Sequence, residues 1–89
     1  MAVYSVTYDL IKSKDYSRII EGIKKVSGDN WAKPTKSQWI ITSTKTSEQI
    51  RDFLKNYIDS DDVLFVIEVK PENWASWNIP RETLNWLHS

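Results

Sequence analysis

"TSEQIRDFLKNYIDSDDVLFVIEV", residues 46–69, holds two periodicities back to back, and their junction decides the fold. In its first half Ile50, Phe53, Leu54, Tyr57 and Ile58 fall at i, i+3, i+4, i+7 and i+8, the apolar stripe of an amphipathic helix. Thr46, with Gln49 three residues on, has capping-box spacing, so a helix is predicted over 47–58. "DSDD" at 59–62 breaks that helix. Val63 to Val69 is then apolar at every position but Glu68, which reads as a buried strand.

Upstream, residues 30–43 read as two short strands, about 30–34 and 37–43, broken around Pro34, which cannot donate to a sheet ladder. A hairpin is the economical interpretation. Before it, Ile19, Ile20, Ile23 and Val26 form a second apolar stripe, with Asp15 as a candidate cap and Gly28 as a stop, predicting a helix over 15–27. The first strand runs from Val3 to Asp9, with Tyr4, Val6 and Tyr8 on one face and the more polar Val3, Ser5 and Thr7 on the other. The resulting order of strand, helix, strand, strand, helix, strand suits an α+β split βαβ unit. In such a unit four antiparallel strands carry both helices on one face, and a partner subunit is the obvious cover for the other.

After residue 70 the chain changes character. "KPENWASWNIP" at 70–80 leads into "RETLNWLH", a short helix begun by Pro80, and Trp74, Trp77 and Trp86 all lie in this tail. So aromatic an extension is expected to pack on the open sheet face, or on an edge of its own or a second subunit.

Composition sets the outer bounds. A chain of 89 residues is one domain, and one of this size hides only about 60–65% of the surface its unfolded chain exposes. With 40% hydrophobic and 27% charged residues it reads as an ordinary globular chain rather than a disordered or membrane-inserted one. No apolar run approaches the roughly 20 residues of a spanning helix. The N-terminus shows neither a basic leader nor a small-residue cleavage site, so the cytoplasm is the default expectation. With no cysteine, disulfides and cysteine-ligated zinc are excluded.

Formal net charge is zero, which removes the electrostatic footprint of a dedicated nucleic-acid binder. Residues 1–45 nevertheless carry eight basic against four acidic side chains, +4, and the remainder carries −4. This asymmetry suits a basic face for phosphate, attraction between two protomers, or simple solvation.

Tyr8-Asp9 closing the first strand, the split βαβ order, "SQW" at 37–39 and "DDVLFVIEV" at 61–69 together resemble the CRISPR-associated protein two family. They are closer still to its Cas-two-like relatives outside CRISPR loci, including proteins labelled virulence-associated or regulator-like. The resemblance covers roughly residues 3–69. It implies a ferredoxin-like βαββαβ protomer over residues 1–70 that dimerises through its sheet, with residues 71–89 completing the interface. It also implies that Asp9 pairs with its twin near a two-fold axis to hold one divalent metal, Mg2+ or Mn2+, in a nuclease acting on RNA or DNA. Other members are structural and cut nothing. This chain lacks the dense arginine cluster that follows the first strand of the adaptation proteins, and its tryptophan tail is not their usual C-terminus.

Metal-assisted phosphodiester cleavage needs a cation that polarises phosphate and acidifies water, and magnesium accepts one or two carboxylates with water completing its shell. Asp9 is therefore the candidate catalytic and metal-binding residue. The alternative is that it ends the strand by bonding to turn amides. Asp61 and Asp62 form a weaker acidic candidate, a pattern more often a helix-to-strand turn than a metal site. Ser5 and Thr7 share a strand face with Asp9, to coordinate water or phosphate or to line a polar surface. Lys33, Lys36 and Lys45, in and after the hairpin, are candidates for phosphate contact or plain solvation. Trp74 and Trp77 suit base or nucleotide stacking as well as packing, while Trp31 and Trp39 read as core or interface. His88, the lone histidine, is too near the terminus for general-base duty. No Ser-His-Asp order, phosphate loop or histidine-carboxylate cluster is present. The functional classes left open are a metal-dependent nuclease, a dimeric module binding nucleic acid or a nucleotide, and a protein-interaction component of a defence, counter-defence or toxin-antitoxin system.

Overall fold

A computed structural model describes residues 2–11, 16–70, 75, 77–79 and 81–88. Its elements in chain order are β1 (Ala2–Asp9), α1 (Ser17–Ser27), β2 (Trp31–Thr35), β3 (Gln38–Ser43), α2 (Ser47–Leu54), β4 (Val63–Val69) and α3 (Arg81–His88). A single 3-10 turn, Lys55–Tyr57, prolongs α2. The strands form one sheet in the order β2-β3-β1-β4. All three neighbouring pairs are antiparallel. This small α+β arrangement is compatible with a ferredoxin-like fold.

The two-residue period of β1 places Tyr4, Val6 and Tyr8 on one face, and all three are buried. Opposite them in register lie Ile41, Trp39 and Ser37 on the β3 side. Ile19, Ile23 and Val26 of α1 and Ile50 and Leu54 of α2 close over this face to complete the core. Buried polar atoms inside it are satisfied. Trp39 Nε1 donates to the Tyr8 hydroxyl at 3.1 Å, and the Tyr4 hydroxyl donates to the Lys45 carbonyl at 2.6 Å.

The helix ends behave as their residues dictate. Thr46 Oγ1 accepts from Gln49 N–H at 3.1 Å and Gln49 Oε1 from Thr46 N–H at 2.9 Å, the reciprocal box that starts α2. α1 stops at Gly28, whose left-handed φ of 60° lets its N–H reach back to the last turn. Asp15 lies outside the described residues.

Pro34 explains the irregularity of β2. Trp31 pairs with Ile41 and Ala32 with Ile40, so continuing that register would set Pro34 opposite Gln38. That position needs an N–H, which proline lacks. The register instead shifts, and Thr35 meets Gln38.

One expectation is corrected here. Val63–Val69 is not buried: β4 lies at the sheet edge, and Val63, Phe65 and Ile67 are 53%, 57% and 46% exposed. Its alternate residues Leu64 and Val66 pack toward the core, so the strand is apolar on both faces while α2 covers only one. The apolar run gave the strand but not its cover.

Gly22 marks a close helix contact. A Cβ there would lie 2.8 Å from Cγ and Cδ1 of the Tyr57 ring and 3.1 Å from a Leu54 methyl. Alanine gains about 1 kcal/mol of helix propensity over glycine, whereas overpacking costs about 1–3 kcal/mol. Gly22→Ala is therefore expected to lower the unfolding free energy in urea by about 1 kcal/mol, and to cost less on a Tyr57→Ala background.

Candidate functional site

The residues singled out by sequence divide among three places. Asp9 is exposed at the end of β1, in register with Val63 of β4. Lys36 is exposed in the β2–β3 turn, next to Ser37, whose carbonyl accepts from Tyr8 N–H at 3.3 Å, so Lys36 and Asp9 share one end of the sheet. Ser5 and Thr7 lie on the sheet face away from α1 and α2, but they do not converge on Asp9. Four residues of extended chain put Ser5 roughly 13 Å away. Ser5 is also buried and accepts from Gln38 Nε2 at 3.0 Å.

Lys33 belongs to the opposite face. Its ammonium stands 5.3 Å from the centroid of the buried Trp39 ring, while Lys24 stands 5.4 Å from that of Trp31. The two indoles are 4.7 Å apart. These cations cap an aromatic pair. Lys45 is exposed, and its carbonyl receives the Tyr4 hydroxyl. Trp77 is 86% exposed. Trp74 and the His88 side chain lie outside the described residues.

The acidic turn before β4 is built more tightly than its sequence suggests. Carboxylate oxygens of Asp59, Asp61 and Asp62 come within 4.8 Å of one another. Both oxygens of Asp62, however, accept backbone N–H groups, from Ile11 and from Asp59, each at 2.9 Å. Asp62 thereby ties the end of β1 to the start of β4, as aspartates do in turns. Arg51 and Lys55 line the same hollow as Asp59 and Asp62, and the Arg51 guanidinium pairs with Asp52 at 3.0 Å.

Asp9 offers a single carboxylate, and the acidic turn has one member committed to the backbone. Magnesium is held by one or two carboxylates with several retained waters, and the paired-carboxylate form of such a site at Asp9 needs a second copy of the chain.

Two surfaces are not singled out by the sequence, although it does allow the C-terminal segment to pack on an edge of the sheet. α3 packs against β2, where Trp86 Nε1 donates to Asn30 Oδ1 at 2.9 Å and Asn30 Nδ2 donates to Thr42 Oγ1 at 2.7 Å. Between them runs a groove of about 360 Å³ walled by Trp31, Lys33, Glu82 and Trp86. The other surface is the apolar row Val63, Phe65 and Ile67 on β4. The signal for it was present: in this element order the last strand falls at an edge.

A scan against protein-family models and a search of solved structures each find no match for this chain.

The two acidic positions should separate experimentally. Asp62→Ala removes two charge-assisted bonds and is expected to lower stability by about 1–3 kcal/mol in denaturant unfolding. Asp9→Asn, at an exposed strand end, should stay within about 0.5 kcal/mol.

Proposed function

We propose that this chain is a ferredoxin-like, self-associating interaction module whose working surface is the β4 side of its sheet. One observation carries the reading. Val63, Phe65 and Ile67 form an exposed apolar row on a regular strand, whereas the β2 side of the sheet is occupied by α3. Contiguous exposed apolar surface on a small domain marks an interaction site. The neutral net charge agrees, because it gives no field that would gather nucleic acid.

A Cas-two-like nuclease using Mg2+ or Mn2+ at Asp9 is the second reading. It is favoured by the exposure of Asp9 and by its place at the same sheet end as the acidic turn. It requires two chains to bring Asp9 to its twin. The interaction reading is preferred because the apolar row it uses is exposed and continuous on each chain.

Light scattering at tens of micromolar should give a mass approaching twice the 10.5 kDa chain, and Phe65→Asp should return it to the monomer value. A monomeric mass that ignores concentration would end the interaction reading. With Mg2+ or Mn2+ present, wild type and Asp9→Asn are expected to leave single-stranded RNA and DNA equally intact. Cleavage lost specifically in Asp9→Asn would establish the nuclease instead.

A further inference from the structure

The two edges of the sheet are built differently. β2 carries Lys33, Pro34 and a register shift, and α3 packs against it. These are the devices by which edge strands are protected from pairing with another chain. β4 has none of them: it is seven residues long, continuous in register with β1, free of proline and lysine, and charged only at Glu68.

The hydrogen-bonding direction along β4 follows from its neighbours. Tyr8 N–H donates toward Ser37 on the β3 side, so the even residues of β1 bond β3 and the odd ones bond β4. Val3, Ser5, Thr7 and Asp9 are in register with Val69, Ile67, Phe65 and Val63. The N–H and C=O groups of Leu64, Val66 and Glu68 therefore point out of the sheet.

Resting on the self-association reading above, we propose that the partner is a second copy of this chain, joined β4 to β4 in antiparallel register about a two-fold axis at Val66. Outward groups must face outward groups, so even residues oppose even residues, and charge then selects among the registers left. An axis at Glu68 sets two carboxylates face to face. An axis at Phe65 places Glu68 opposite the partner's Asp62, and one at Leu64 brings Glu68 level with the partner's acidic turn. An axis at Ile67 avoids these clashes but leaves Val63 and Leu64 beyond the partner's strand. The axis at Val66 engages the whole strand, sets Glu68 opposite the partner's Leu64, and brings the exposed Lys70 level with the partner's Asp62.

In this register Phe65 lies opposite the partner's Ile67 in a non-hydrogen-bonded pair, where side chains approach most closely. The two apolar rows become neighbours, each shielding the other's flank. One pair of strands buries less than the roughly 1,200–2,000 Å² of a stable interface, so the dimer is reversible and its population follows concentration. The same geometry places the two Asp9 residues at opposite ends and on opposite sides of the paired strands, roughly 24 Å apart by strand spacing and rise. A shared metal between them is incompatible with it.

The chain has no cysteine, so introduced thiols report the register directly. An equimolar mixture of Phe65→Cys and Ile67→Cys protein should oxidise to a disulfide-linked heterodimer. Phe65→Cys alone should not, since its twins would be roughly 8 Å apart, beyond disulfide reach. Independently, Glu68→Pro removes an outward N–H that makes no bond to another of the described residues. It should keep the wild-type circular dichroism and raise the dimer dissociation constant at least tenfold, while Glu68→Gln stays dimeric. A dimer that forms without the mixed cross-link, or survives Glu68→Pro, would overturn the edge pairing and leave self-association standing. A wild type monomeric at every concentration would end both.

Discussion

The alternation of β1 governs more of this molecule than any other local property, because β1 bonds on one side to β3 and on the other to β4. Its even residues are core, and their amides also join β3; its odd residues are on the open face, and their amides join β4. A slip of one residue would exchange the two sets and turn Tyr4, Val6 and Tyr8 out of the core. The Trp39–Tyr8 hydrogen bond guards against this, since it links side chains of adjacent strands inside a face that would lose its burial on slipping. With so thin a core, satisfied polar contacts of this kind weigh heavily, for a buried donor left unpaired costs about 1–3 kcal/mol.

The elements readable from sequence are those in which one local rule acts without competition. Thr46 and Gln49 formed their box, Gly28 took the left-handed turn, and Tyr4, Val6 and Tyr8 went inside as their spacing demanded. β4 was read correctly as a strand but wrongly as buried. An apolar residue at every second position on both faces is the pattern of a strand covered twice, and only the position of β4 in the sheet reveals that one cover is missing. Asp62 illustrates a different limit. Its two backbone partners lie three and fifty-one residues away, and no local pattern announces the long-range one.

The candidate site was less legible because the residue types suspected of binding have local duties that sequence does not display. Lys33 caps an indole and Ser5 serves Gln38. Asp9, Lys36 and the acidic turn do share one end of the sheet, yet Ser5, Thr7 and Lys33 are dispersed over both faces. A strand face can be assigned from parity, but the convergence of side chains from several strands depends on register, which the hairpin irregularity at Pro34 shifts.

The irregularity at Pro34 also bears on how far the proposed assembly would extend. Sheets that pair through both edges propagate into fibrils, whereas an isologous contact closes on itself. In the proposed pair joined through β4, each outer margin of the continuous sheet would be a β2 strand, which a register shift and a packed helix make a poor template for another strand. On that proposal Pro34 would serve as a terminator, limiting growth to a finite pair and keeping an apolar edge strand from becoming the seed of a polymer.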